Sequence, residues 1–290
     1  MKILGVDIGG TSVKVGLFTP ENGLLETESF PTPLHDAQKL IDALVPYVGK
    51  WSPDLVGIGS AGSIHTDTGL VYAGNLDWWG VPLRELAEAA LGLPVWVDND
   101  ANAALMAEVY DGTCVGKDTC IYLTLGTGIG GAAIINGKPW RGRTNIAMEL
   151  GHMITHGDGL PCTCTRRGCF EVYASARALE RMAGGISTRE VIDRVKAGDA
   201  EMTDVFNGYL KELGYGLNNI VSIFCPDVIV LGGGLSKAGD ILLQGAKDAL
   251  HEIIIRRPEA FRGEIVLAKH GNEAGMIGAA MLAKHYLGAV

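Results

Sequence analysis

Three thiols and an imidazole lie close together in the middle of the chain: Cys162, Cys164 and Cys169, with His152 ten residues upstream of the first. Three soft thiolates and one imidazole make the donor set that tetrahedral structural Zn²⁺ takes, and four protein ligands leave no open position for an activated water. The work of such a site is to fix a loop. His156 competes with His152 for the imidazole role, and spacing alone does not choose between them. Glu149 and Glu171 flank the cluster, where a bound metal would present two carboxylates able to accept hydrogen bonds from sugar-type hydroxyls.

A second chemistry is written in glycine. Asp7-Ile8-Gly9-Gly10-Thr11 ends an apolar run, and Val13, Val15 and Leu17 alternate as a returning strand. The bare backbone of Gly9 and Gly10 and the Thr11 hydroxyl suit phosphate oxygens, and Asp7 suits Mg²⁺, directly or through water. Thr124-Leu125-Gly126-Thr127-Gly128-Ile129-Gly130-Gly131 repeats the device without an acid, a composition fitted to an anionic triphosphate. The Gly-x-x-x-x-Gly-Lys-Ser/Thr loop is absent, and Gly232-Gly233-Gly234 lacks dinucleotide-fold spacing.

A third constellation is Asp98-Asn99-Asp100-Ala101-Asn102, after a strand and at the start of a helix. An acid there caps free amides, and the helix dipole favours its charge. Asp98 is assigned to the cap. Asp100, kept ionised by the dipole, is the candidate base for a substrate hydroxyl in phosphoryl transfer, with Asn99 and Asn102 orienting that hydroxyl.

These residues need elements to hold them. Strands at 3–6, 55–59, 95–97, 121–123 and 227–231 alternate with helical patterns at 37–48, 82–91, 174–183, 188–197, 200–224, from 235 through about 255, and 273–286, which argues for α/β layers. The repeated hairpin points to two related halves. The expected domains are 1–114, a smaller α/β domain onto which a C-terminal helix at about 275–290 packs back, and 115–274, a larger one with the metal loop.

Composition bounds the function. Glycine, 41 of 290 residues, recurs in short clusters where apolar runs end. The net charge of −9 is a poor match for a nucleic-acid backbone, and no apolar run reaches membrane-span length, so a cytoplasmic protein without nucleic-acid or membrane partners is expected.

Taken together, the motifs resemble the ROK family (repressors, open reading frames and kinases) of the actin-like ATPase and sugar-kinase superfamily, over essentially the whole chain. Asp7-Ile-Gly-Gly-Thr resembles the family's first phosphate motif, 124–131 its second, and Val230-Leu-Gly-Gly-Gly its adenosine motif. Asn99-Asp100-x-Asn102 resembles the catalytic-base segment, and Glu149-Leu-Gly-His152 with Cys162-x-Cys164-x4-Cys169-x-Glu171 the sugar and zinc signature. The resemblance implies two ribonuclease H-like α/β domains with a central cleft. It implies sugar contacts from Gly62, Asn75, Asn99, Asp100, Glu149, His152 and Glu171, and zinc ligation by His152, Cys162, Cys164 and Cys169. It implies nucleotide contacts at Asp7, Gly9, Gly10, Thr11, Thr124, Gly126, Thr127, Gly128, Gly232, Gly233 and Gly234, with ATP, Mg²⁺ and structural Zn²⁺ as cofactors and a homodimer as the assembly.

The activity so implied is transfer of the γ-phosphoryl group of ATP to a hexose, at O6 of D-glucose. N-acetylmannosamine is the alternative substrate, with fructose, allose and N-acetylglucosamine behind it. A non-catalytic sugar-sensing protein is the reading from another class; family repressors add an N-terminal helix-turn-helix, for which the six residues before Asp7 are expected to leave no room. The chain departs from the family pattern twice. Thr165 follows the second cysteine where glycine is usual, and Thr144-Asn145-Ile146-Ala147-Met148 is poor in glycine.

Overall fold

The computed structural model describes residues 1–254 and 261–288. Two compact units divide the chain. Unit 1 holds Met1–Gly116, Trp140–Ala147 and the residues from His270 onward; unit 2 holds Lys117–Pro139 and Met148–Lys269.

Unit 1 is built on β1 (Ile3–Ile8), β2 (Ser12–Thr19), β3 (Gly23–Pro31), β4 (Leu55–Ser60) and β8 (Val95–Asn99), ordered β3-β2-β1-β4-β8. The central β4, LVGIGS, is buried at every position, as a strand covered on both faces must be. β1, β4 and β8 run parallel, and β2 returns antiparallel beside β1. The helical pattern at 37–48 resolves into two short helices, α1 (Ala37–Asp42) and α2 (Val45–Trp51), because Pro46 is tolerated only in a first turn. A feature absent from the sequence reading is a small antiparallel sheet of β5 (Ser63–His65), β6 (Leu70–Ala73) and β7 (Trp78–Pro82), which places Asn75 in the turn between β6 and β7. It is followed by α3 (Leu83–Leu91), and after β8 by α4 (Asp100–Asp111).

Unit 2 repeats the order. β9 (Cys120–Leu125), β10 (Ile129–Ile135), β11 (Lys138–Pro139), β12 (Val228–Gly232) and β13 (Glu264–Leu267) assemble as β11-β10-β9-β12-β13, with β9, β12 and β13 parallel. Between β11 and β12 come a 3₁₀ turn at Leu150–His152 and helices α5 (Glu171–Ala174), α6 (Ala176–Met182), α7 (Thr188–Lys196) and α8 (Ala200–Phe224). The pattern at 174–183 is thus two helices, broken at Ser175, whose hydroxyl caps the second by accepting from Ala178 N–H. The helix from 235 begins as a 3₁₀ turn and continues as α9 (Asp240–Ile253); its expected last residue, Ile255, lies outside the described residues.

The C-terminal α10 (Ala274–Leu287) lies on the unit 1 sheet and on α4; residues 289–290 of the expected helix lie outside the described residues. Its sequence AGMIGAAMLAKHYL is small on the packed side for a steric reason. A Cβ on Gly278 would stand 1.5 Å from the Ala103 carbonyl oxygen, and one on Gly57 1.9 Å from that of Ala279. Gly57 thus serves close packing between sheet and helix.

Candidate functional site

In unit 1 the carboxyl ends of the parallel strands gather the polar residues. Ile8, Ser60 and Asn99 are register partners, and one step back so are Asp7, Gly59 and Asp98. Such an edge is where open α/β sheets bind ligands, because the chain leaves each strand there in a loop. Asp7 pairs with Lys14 at 3.2 Å, and Lys14 also donates to the Asn272 carbonyl oxygen at 3.1 Å. Lys14 was missed from sequence, although a hairpin with Gly9 and Gly10 at its turn sets it opposite Asp7. A side chain on Gly275 would strike the Asp7 carboxylate, so glycine there makes room for that group. Gly10 would carry a Cβ at 3.4 Å from the Asn75 amide, and Asn99 Nδ2 donates to the Gly62 carbonyl oxygen at 3.0 Å. Asp7, Gly10 and Asn75 thus share this edge with Gly62, Asn99 and Asp100.

The capping assignment changes. Asn99 is the N-cap of α4, accepting from Ala101 N–H at 2.9 Å and Asn102 N–H at 3.4 Å. Asp98 is instead buried in an ion pair with Arg141, Nη2 to Oδ2 at 2.6 Å. At Asp100, burial and a neighbouring charge act besides the helix dipole. Burial, then repulsion from Asp7, raise its pKa to about 6 against the opposing pull of the Ala101 N–H. A carboxylate with that pKa is ionised at neutral pH yet a far better proton acceptor than an ordinary aspartate.

In unit 2 the same edge carries Thr124, the register partner of both Gly130 and Gly232. The turn beyond it is closed by Gly126 N–H donating to the Gly128 carbonyl oxygen at 3.0 Å. Ala176 N–H donates to the Gly126 carbonyl oxygen at 2.8 Å, pinning the turn to the start of α6. The three glycines at 232–234 differ in purpose. A Cβ at Gly232 would overlap the Tyr122 ring, and Gly233 adopts φ +80° against the Leu125 backbone, so both serve packing as well as any ligand. Gly234 faces nothing within 4 Å. A cavity of about 230 Å³ is lined by Thr127, Gly128, Cys162 and Glu171, with Arg177 and Arg181 at its side. A Cβ on Gly128 would sit 2.6 Å from Glu171 Oε2, so the second glycine turn and this carboxylate share one space.

The sulfur and nitrogen ligand atoms of His152, Cys162, Cys164 and Cys169 all lie within 4.8 Å of one another. Three thiols and an imidazole at that spacing fit a four-ligand zinc site. Glu171 Oε1 lies 3.1 Å from Cys162 Sγ and 3.6 Å from His152 Nδ1, so it stands directly beside the cluster. Glu149 ends the loop just before the 3₁₀ turn and is exposed. His156, the competing ligand, is engaged elsewhere: its ring stacks on Tyr173 at 4.0 Å and Nε2 lies 3.5 Å from Glu212. Both departures from the family pattern fall on left-handed backbone. Thr165 has φ +71°, Asn145 +60° and Met148 +69°, conformations that glycine adopts without strain and that cost other residues about 1 kcal/mol or more.

Two units of one strand order, each with a glycine turn at the carboxyl edge of its parallel strands, define a protein of the ribonuclease H-like, actin-like ATPase class. Within it, the chain belongs to the ROK family, whose sequence profile matches residues 3–286. It is similar to a glucokinase of Streptomyces coelicolor, 36% identical over 97% of each chain. It is also similar to an N-acetyl-D-glucosamine kinase of Salmonella gallinarum, 34% identical over 96% of this chain and 98% of the other. Among solved structures, a ROK glucokinase from Streptomyces griseus in complex with glucose and AMPPNP superposes with a TM-score of 0.86 at 35% identity, covering 98% of this chain and all of that one. No helix among the described residues is long and apolar enough to cross a membrane.

Proposed function

We propose that the chain is an ATP-dependent hexose kinase that transfers the γ-phosphoryl group to O6 of D-glucose. The observation that carries this reading is Asp100: a carboxylate at the first turn of α4, beside the capping Asn99, with its pKa raised to about 6. In that state it accepts the hydroxyl proton as the oxygen attacks phosphorus. Similarity to a glucokinase solved with glucose and AMPPNP supports the choice of both substrates.

The sugar contacts are assigned to Gly62, Asn75, Asn99, Glu149, His152 and Glu171. The nucleotide contacts are assigned to Asp7, Gly9, Gly10 and Thr11, to Thr124, Gly126, Thr127 and Gly128, and to Gly232, Gly233 and Gly234. Asp7 would meet the Mg²⁺ that accompanies ATP, an ion that would neutralise phosphate charge. His152, Cys162, Cys164 and Cys169 would hold Zn²⁺, which would lend the loop rigidity. The functional domains are residues 1–114 with the C-terminal helix, and 115–274, which carries the metal loop. The reading further entails a cytoplasmic homodimer feeding carbohydrate metabolism by glycolysis, with no nucleic-acid or membrane partner.

N-acetylated hexoses are the second reading, favoured by the similarity to an N-acetyl-D-glucosamine kinase. Sugar-dependent ADP release over glucose, mannose, their N-acetylamino derivatives, allose and fructose decides between them. Glucose should give the highest kcat/KM; a preference for an N-acetylated sugar moves the assignment to the second reading, and no release with any sugar overturns the kinase. Asp100→Asn should abolish release while glucose still binds by calorimetry.

A further inference from the structure

The segment Trp140–Ala147 follows β11 in the chain yet is part of unit 1, and one side chain ties it there. The Arg141 side chain is 9% exposed and that of its partner Asp98 1%. Five donors converge on the Asp98 carboxylate. Oδ1 accepts from Asn99 N–H at 2.9 Å, Asn102 Nδ2 at 2.8 Å and Arg141 Nε at 3.3 Å; Oδ2 accepts from Trp96 Nε1 at 3.0 Å and Arg141 Nη2 at 2.6 Å. Arg141 is itself held, since Nη1 donates to the Tyr286 hydroxyl at 2.5 Å and the guanidinium lies over that ring. Tyr286 stacks on Trp96 at 4.0 Å between centroids, so the strap, β8 and α10 all meet at this pair.

We infer that Arg141 is a positioning residue for phosphoryl transfer: by holding both carboxylate oxygens of Asp98, it fixes Asn99 and Asn102 and so the aim of the Asp100 carboxylate between them. The inference rests on the reading of Asp100 as the base. A buried ion pair serving stability alone is a poor bargain against apolar packing, and it has no need to gather the residues on both sides of the base onto one carboxylate oxygen. The pair also acts electrostatically. Asp98 is two residues from Asp100, and neutralised by Arg141 it adds no repulsion to that of Asp7, which is itself paired with Lys14. Of the elements packed against α4, β4 has no charged residue, β8 has Asp98, and α10 has Lys284 and His285 in its last turn; α4 itself has Glu108 and Asp111 near its far end.

The test is the acid limb of the kcat–pH profile in the full-length protein, with thermal midpoint and sugar KM measured alongside. Arg141→Met removes the counter-charge to Asp98 and should move the limb up by about one pH unit and lower kcat at neutral pH about tenfold or more. Asp98→Asn leaves Arg141 charged and should move the limb down. Arg141→Lys restores the charge but not the two-point clamp, so the limb should return to its wild-type position while kcat stays several-fold low. Shifts of opposite sign cannot come from general loosening of the fold. If Arg141→Met does not fold, Asp98→Asn decides alone. Folded variants with an unmoved limb, or with a lowered midpoint and unaltered kcat, overturn the inference. Asp100→Asn separates the two claims: if it is inactive and the limbs are unmoved, the inference alone fails; if it turns over normally, the base reading fails and takes the inference with it.

Discussion

At the scale of single residues, the environment that raises the Asp100 pKa works against the fold. Its pKa is raised from 3.8 to about 6, so the native state holds the proton more tightly than the unfolded chain does. The contribution is therefore present below pH 4 and is lost as pH rises through 6. At neutral pH the ionised group is a liability, and Asp100→Asn should be inactive yet more stable, on the order of 2–3 kcal/mol at pH 7 with the gain fading below pH 4, read by urea unfolding. The same value places the acid limb of kcat/KM, which reports the free enzyme, near pH 6. Gly128 makes a second prediction. Its added Cβ meets the carboxylate end of the Glu171 side chain and no backbone atom, so Gly128→Ala should leave the thermal midpoint within a degree or two while raising the sugar KM severalfold and the ATP KM less. Unfolding instead would mean that the glycine serves the turn alone.

At the scale of elements, helix α10 shows why glycine is so frequent in this chain. Gly5 and Gly57 let the sheet backbone approach the α10 backbone, and Gly278 lets α10 approach α4, until no β-carbon fits between them. Gly278→Ala should destabilise the protein by about 2–3 kcal/mol without touching any proposed ligand contact, measurable by chemical denaturation with sugar KM as the control. Much of this organisation is legible in sequence. The alternation in β2, the apolar runs of β1 and β12, and the 25-residue α8 announce their type because one face or all faces must be buried. The small sheet of β5 to β7 is not legible, since its strands are three to five residues long and carry no sustained period. The cap of α4 is likewise ambiguous, because Asp98, Asn99 and Asp100 are all good caps and only the backbone angle at Asn99 chooses.

At the scale of the whole molecule, each unit has its own sheet and its own core, and unit 2 alone carries the cysteine cluster. Metal removal should therefore act locally. Chelation should lower the melting transition that includes Cys162, Cys164 and Cys169, expose three reactive thiols to titration, and weaken sugar binding through Glu171 more than it weakens nucleotide binding. A chelated protein with unaltered melting and sugar affinity would show that the thiols hold no structural metal. Saturating glucose should raise the thermal midpoint, by the equivalent of about 2.7 kcal/mol at a hundredfold excess over Kd.

By itself the sequence determined the chemistry on offer and the kinds of element that carry it. Thiol spacing, glycine turns and the Asp98–Asn102 run are local facts, and the burial period of a strand or helix is a local consequence of having one face to hide. Only the tertiary structure sets the two neighbouring aspartates apart, holding Asp98 in a buried ion pair and raising the pKa of Asp100. Asp98 and Asp100 are the same side chain two positions apart on a strand-to-helix turn, and what separates them arrives from elsewhere in the chain: Arg141 across 43 positions, and Asp7 from the neighbouring edge of the sheet. The same holds for the glycines. Composition counts them, but whether a missing β-carbon makes room for a ligand or for a helix depends on what folding brings to within 3 Å of it.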